Sequence, residues 1–277
     1  MVYLMRTLDE IQVKKIKEFI FHNGRLLERK LYSYFFENGK ETDVIKALLA
    51  YQNLDGGFGN GIEPDILCPD STAIGAETAM YILDLLESKH NDIIDKLFNW
   101  IITEQNENGF INHPPKNMYN YPFQEWWSGP DDIRILAISG YLKKWDFKNP
   151  DFFRKVKTFY SKCSIPEEFA LYEYPYFLYL KYLGESKEEK KTLQMIITQI
   201  PSILVKNKEH YLLFGRHWYN SLDLLNKEVV ETEVNNFFNG LQEDGGLKII
   251  YQNLPWWRPL WTLDALILLK KSGMIAF

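Results

Sequence analysis

The sequence predicts an all-α protein: an (α/α)6 toroid of six helical pairs, with apolar inner helices inside an outer ring of amphipathic ones. Three observations predict it. A short glycine signature recurs at the ends of amphipathic runs, one-faced and all-round apolar segments alternate, and the repeat spacing fits six pairs into 277 residues. A hydrophobic share of 46%, with 18 Phe, 17 Tyr and 8 Trp, is ample for a large core and excludes a disordered chain.

The signature stands at Gln52-Asn-Leu-Asp-Gly-Gly-Phe58, Gln105-Asn-Glu-Asn-Gly-Phe110 and Gln242-Glu-Asp-Gly-Gly-Leu247. Asp-Gly or Asn-Gly just past a helical run suits a C-terminal cap, because glycine takes the left-handed conformation cheaply. The following Phe or Leu can then fold back between helices. The three Gln side chains are expected to bond the backbone of neighbouring repeats.

The pairs, outer helix then inner, follow in chain order. The first is predicted over 9–22 and 24–38. In the second, 43–52 and 71–88, the inner member is apolar nearly all round through Ala73, Ile74, Ala76, Ala79, Met80, Ile82, Leu83, Leu85 and Leu86. A helix with no polar face is buried on both sides. In the third, 91–105 and 131–145, Ile94, Leu97, Phe98 and Ile101 put one apolar stripe on the outer helix, while Ile133, Ile135, Leu136, Ala137, Ile138 and Leu142 surround the inner one. The fourth pair is 150–163 with 167–183, and the fifth is 188–205 with 209–226. In the sixth, 228–242 and 259–272, Val230, Val234, Phe237, Phe238 and Leu241 are one-faced, and Leu260, Leu263, Ala265, Leu266, Ile267, Leu268 and Leu269 are not. Each step averages about 47 residues, and six steps need about 285, close to the length present. The last inner helix lacks the polar face of a solenoid cap, so a closed ring is predicted, as one domain over 1–277.

Thirty-two Lys and Arg against 37 Asp and Glu, with no basic block, predict no nucleic-acid partner. Cys68 and Cys163 lie too far apart in sequence for a metal motif or a disulfide framework, which suits a reducing cytoplasm. Residues 1–10 lack the pattern of a secretion signal, and no apolar run spans a bilayer, Asp264 interrupting the last candidate. A cytoplasmic, non-transmembrane protein is expected.

Helical pairs with Gln-x-x-Asp-Gly-Gly-Phe at the outer-helix ends resemble the terpenoid cyclase and protein prenyltransferase α/α-toroid superfamily. The stretches at Gln52 and Gln105 are similar to its Gln-rich aromatic repeat, and the third has Leu247 in place of the aromatic. The resemblance implies the toroid and an apolar, isoprenoid-type substrate in its central cavity. It also assigns a candidate acid, because Cys68-Pro69-Asp70-Ser71-Thr72-Ala73 is similar to the Asp-x-Asp-Asp-Thr-Ala motif of the cyclases, with Asp70 at the acid. Cys68 and Ser71 replace the flanking aspartates, which removes like-charge coupling from Asp70. Asp65-Ile-Leu-Cys68 has the wrong spacing for the prenyltransferase zinc pair, and none of His22, His90, His113, His210 and His217 stands at the third ligand. The thioester Cys-Gly-Glu-Gln and the Cys-His zinc pair of lanthionine cyclases are absent, and Asp131-Asp132-Ile133-Arg134-Ile135 departs from the Asp-Asp-x-x-Asp magnesium motif. No metal and no cofactor are expected.

If the inner helices run parallel, the loops before them gather at one mouth. They carry the candidate catalytic residues Asp70, Glu63, Asp65, Asp131 and Asp132. Candidate substrate-binding residues there are Trp126, Trp127, Tyr119, Tyr121, His113, Tyr174, Arg216, His217, Trp256, Trp257, Arg258 and Trp261. Glu63 and Asp65 follow the glycine-rich Gly56-Gly-Phe-Gly-Asn-Gly61 in an 18-residue loop, positions 53–70, and such loops are often functional. Each group also has a structural reading. Asp70 or Ser71 would N-cap the next helix, Asp131 and Asp132 would favour a first turn after Pro130, the tryptophans would plug the ring, and His113 would be an ordinary loop residue.

Aromatics and acids around an apolar well can stabilise a carbocation, or stack on sugar rings while carboxylates do acid and base work. The sequence therefore supports an isoprenoid-type binder or cyclase- or transferase-like enzyme. A carbohydrate-active enzyme or glycan binder on rim carboxylates and Trp platforms is the alternative, and a non-catalytic interaction module is the third. A homodimer contact or a partner protein would close the open mouth.

Overall fold

The computed structural model describes residues 5–88 and 91–276; His90 lies outside the described residues. The chain is all-α. Among the described residues it forms eleven α-helices: α1 (Glu10–Asn23), α2 (Leu26–Phe36), α3 (Glu41–Leu49), α4 (Ala73–Leu86), α5 (Asn91–Glu104), α6 (Arg134–Lys144), α7 (Pro150–Tyr160), α8 (Tyr174–Leu183), α9 (Lys187–Lys206), α10 (Lys227–Gly240) and α11 (Trp257–Lys271). Two short strands, β1 (Arg6–Thr7) and β2 (Ile275–Ala276), pair in parallel. The helices fall into two compact units, one built from residues up to 47 together with 196 onward, the other from 48–195.

Local chemistry sets the helix starts. Asp9 accepts the Gln12 N–H at 2.8 Å while Gln12 reaches back to the Asp9 N–H, a capping box that opens α1. Asn149 caps α7 ahead of Pro150, whose missing N–H costs nothing at the first helical position. At α4 the cap is Thr72, which accepts the Gly75 N–H at 3.0 Å; neither Asp70 nor Ser71 plays that part. Asp131 and Asp132 stand before the first residue of α6 rather than inside its first turn.

Burial follows the predicted alternation at α4, α6, α8 and α11 but not at the first predicted inner helix, α2, where only Leu27, Glu28, Leu31 and Tyr32 are buried. Only Ile16, Phe19 and Ile20 are buried on α1, and only Phe152 and Val156 on α7, whereas every residue of α4 except Asp84 is buried. In α8 the run Tyr174–Leu180 is buried throughout. Within unit 48–195, α6 packs between α4 and α8. Gly140 lets α6 approach α8, since a Cβ there would stand 3.0 Å from the Leu178 carbonyl. In the other unit α11 packs on α1, α2 and residues 212–214.

One predicted helix is absent. Residues 209–226 form no α-helix but a string of 3-10 turns, Lys208–His210, Leu212–Phe214 and Tyr219–Leu224. Aromatic, Asn and Gly residues here give weak helix propensity, and Tyr211 takes a left-handed φ of 50° that interrupts any continuous helix.

The repeat turn has the same geometry three times. Gln52 bridges Phe58, Gln105 bridges Ile111, and Leu241 bridges Leu247. Gly56, Gly109 and Gly245 all have positive φ, at 95°, 94° and 88°. Each lies against an outer helix: a Cβ would come within 2.3 Å of the Lys96 carbonyl oxygen in α5, 2.4 Å of that of Lys155 in α7, and 2.5 Å of that of Lys15 in α1. Gln52 and Gln105 also donate to the backbone carbonyls of Ile93 and Phe152 at the starts of α5 and α7. In the third copy the corresponding residue is Leu241, not Gln242. Gln242 has one residue fewer before its Asp-Gly-Gly, and its side chain bonds the nearby Gly240 carbonyl.

Candidate functional site

In unit 48–195 the long loop 53–70 is braced from within. Asn53 donates to the Pro69 carbonyl and the Ser71 hydroxyl, and Ser71 donates to Asp55. Gly59 has to be glycine, because a Cβ would fall 2.2 Å from the Asp70 carbonyl. Asp70 accepts the backbone and side-chain N–H groups of Asn117, which ties the loop to residues 114–120.

Glu63 and Asp65 of this loop are buried and bonded. Glu63 accepts the Thr78 hydroxyl of α4 at 2.8 Å. Asp65 accepts both neighbouring indoles, Trp126 Nε1 at 3.1 Å on Oδ2 and Trp127 Nε1 at 2.7 Å on Oδ1. Its backbone carbonyl takes the Gln124 N–H, and Ile66 bridges Phe123, so loops 61–67 and 122–127 form one piece. Beneath it Ile66, Cys68, Ile74 and Met118 make a small apolar core. Above it aromatic rings are exposed: Trp126 at 52%, Tyr119 at 61% and Tyr121 at 42%.

Asp131, Arg134, Glu77 and Tyr174 form a second, buried cluster. Arg134 reaches Asp131 with Nε at 2.8 Å and Glu77 with Nη1 at 2.8 Å, and it also donates to the Tyr174 hydroxyl. Tyr174 donates to the other Glu77 oxygen at 2.6 Å. Burial pushes Glu77 above the ordinary carboxylate range, with Arg134 and Tyr174 opposing it. Burial pulls Arg134 down, but Asp131, Tyr174 and Glu77 more than reverse it and hold the guanidinium charged. The cluster ties α4, α6 and α8 together.

His113 is buried beside these groups, its Nε2 2.9 Å from the Trp127 carbonyl and its ring edge-on to the Trp127 indole at 5.8 Å. A carbonyl only accepts, so Nε2 carries the hydrogen. Among the described residues Nδ1 is buried with no hydrogen-bond partner. Burial lowers the His113 pKa, and burial followed by Asp131 raises that of Asp132.

The remaining candidates belong to the other unit. Arg216 contacts Asp264 at 3.3 Å and stands over Trp257, which stacks on Trp261 at 5.4 Å. Arg258 grips Asp244 with both terminal nitrogens at 2.9 Å, donates Nε to the Leu247 carbonyl and covers Phe19 of α1. It therefore braces the third repeat turn. His217 is partly buried, and Trp256 is exposed.

Sequence reasoning missed Glu77, Asn117 and Asp264 as partners. A usable signal existed for Glu77 and Asp264, each a lone acid in an otherwise apolar run, which must find a partner when buried. A shallow hollow of about 450 Å3 lies on α7 between Pro150, Phe153, Arg154 and Lys157, residues apart from these clusters. Among the described residues no three His, Cys, Asp or Glu side chains gather to hold a metal, and no helix is long and apolar enough to cross a membrane. Compared with models of protein families, with curated proteins and with solved structures, the chain gives no match.

Proposed function

We propose that the aromatic loop of unit 48–195 binds a hydroxylated, ring-bearing ligand of glycan type. The observation that carries this is Asp65 holding both indole N–H groups, which fixes the Trp126 ring while half its surface faces outward. A large aromatic that is held yet exposed loses little freedom when a ligand stacks on it. Asn120, Glu125 and Ser128 lie exposed in the same segment, suited to hydroxyl groups around a stacked ring.

Calorimetric titration with maltohexaose, cellohexaose and chitohexaose tests the reading. One of the three should bind wild type, and Trp126→Ala should abolish that binding without lowering the melting temperature by more than a few degrees. No binding, or equal binding by Trp126→Ala, refutes it.

We propose further that the helical pairs close as the (α/α)6 toroid of the terpenoid-cyclase-like superfamily. The support is the repeat turn, seated from Gly56 on α5, from Gly109 on α7, and from Gly245 back on the first outer helix, α1. This favours a second reading, an isoprenoid-type ligand among the apolar inner helices. A thermal shift with farnesyl or geranylgeranyl diphosphate that survives Trp126→Ala would support it over the glycan.

A further inference from the structure

His113 joins two parts of unit 48–195 that the platform depends on. Its Nε2–H is spent on the Trp127 carbonyl at 2.9 Å, and Trp127 is the same residue whose indole is pinned to Asp65 at 2.7 Å. With Nε2 protonated, a neutral ring leaves Nδ1 as a bare lone pair, and that atom is buried without a hydrogen-bond partner among the described residues. Such a site accommodates the neutral imidazole and penalises the cation, because a second N–H would be buried with nothing to accept it.

The charges that act most strongly on His113 are those of Asp131, Arg134 and Asp132. Asp131 is held by the Arg134 guanidinium at 2.8 and 3.2 Å, and Arg134 is itself engaged with Glu77 and Tyr174. Asp132 is therefore the nearby carboxylate not engaged by Arg134. It is partly buried, and its charge reaches Cys163 as well, whose thiol burial has pushed up.

We propose that His113 is a proton-operated latch on the aromatic platform: when Nδ1 takes up a proton, the ring turns toward Asp132 and the Trp127 backbone moves with it. Neutral His113 holds Trp127 in place, and protonated His113 shifts it. Burial depresses the His113 pKa, so the latch stays closed at neutral pH and opens on acidification below 6.5. The latch concerns only Trp127 and the two groups on either side of it, and it stands whether or not the platform takes a glycan.

The test uses the full chain labelled with 5-fluorotryptophan, the Trp127 resonance being assigned from Trp127→Phe. Between pH 8 and 5 the wild-type Trp127 signal should move in a single one-proton step with a midpoint below 6.5. In His113→Gln that step should vanish while the signals of the six tryptophans other than Trp126 and Trp127 keep their wild-type positions. Asp132→Asn, which removes a charge that favours the imidazolium, should move the midpoint to lower pH. A Trp127 signal that does not titrate in wild type, or one that titrates alike in wild type and His113→Gln, overturns the proposal. If His113→Gln does not fold, the Asp132→Asn midpoint decides: a downward shift supports the latch, and an unchanged midpoint overturns it.

Discussion

Arg134 Nη1 lies 2.8 Å from Glu77 Oε2, and both side chains are more than nine-tenths buried. Taking two charges out of water costs several kcal/mol each, and the pair is tolerable because Asp131 and the Tyr174 hydroxyl complete the bonding. Arg134→Ala would strand Glu77 and Asp131 together. It should lower the unfolding free energy by about 3–5 kcal/mol, read by urea denaturation. Arg134→Lys should recover only part of this, since an ammonium cannot span three partners with a planar fork. A loss below about 1 kcal/mol for the alanine variant would mean that Glu77 simply takes up a proton when its cation is gone.

Asp65 and Trp126 should separate stability from binding. Asp65→Asn keeps one acceptor oxygen for two half-buried indole donors, so one of these two hydrogen bonds is lost, at a cost of about 1–3 kcal/mol. Trp126→Ala removes a ring that is 52% exposed and should cost less than that. Thermal unfolding of the two variants in parallel checks the order, and a larger loss for Trp126→Ala would mean that its ring is needed to hold loops 61–67 and 122–127 together.

The glycine turns give an internally controlled series. Gly245→Ala combines a left-handed backbone with a Cβ driven against the main chain of Lys15, while Gly273, also at positive φ, has open space around it. Gly273→Ala should cost about 1 kcal/mol, the conformational penalty alone. Gly245→Ala should cost at least about 2 kcal/mol more, because α1 has to move. Equal losses at the two positions would show that α1 yields without strain.

Those turns also show how far the sequence could be read. Period and amphipathicity were enough for α5 and α10, because a helix declares its buried stripe in its spacing, and all-round apolarity was enough for α4. The third turn could not be aligned by its letters. Gln242 looks like Gln52, yet the position is set by the left-handed glycine, which makes Leu241 its counterpart. Residues 209–226 misled for a different reason: Leu212, Leu213 and Phe214 are buried in one 3-10 turn and Trp218 just ahead of the next, and apolar density alone does not distinguish these from an α-helix. In the candidate site the residue types were legible and the pairings were not. Nothing in the spacing of Asp65, Trp126 and Trp127 announces that one carboxylate accepts two indoles sixty positions downstream.

Glu233 of α10 predicts a pH dependence of stability. It is buried, and burial pushes its pKa from 4.5 up to about 7 against the opposing hydrogen bond from Asn236. Between those values the folded chain holds a proton that the unfolded chain has released. The contribution of this group is therefore fully present below pH 4.5, declines as pH rises and is gone above about 7. Glu233→Gln should gain roughly 2–3 kcal/mol at pH 8 and flatten the stability profile between pH 5 and 7. A profile as steep as that of wild type would assign the dependence to another group.

The pairing of β1 with β2 bears on how the molecule is made. Outside the hairpin of α1 and α2, the partners of the N-terminal segment within its unit begin at residue 196, so that unit has to wait while the whole of 48–195 is synthesised. Residues 48–195 are contiguous and can begin to organise as they leave the ribosome, whereas closing β1 on β2 pays the loop entropy of nearly the entire chain. The contiguous segment bearing the Trp126 ring is thus free to fold during synthesis, whereas α1 and α2 cannot be covered by α11 until residues 257–271 have been made.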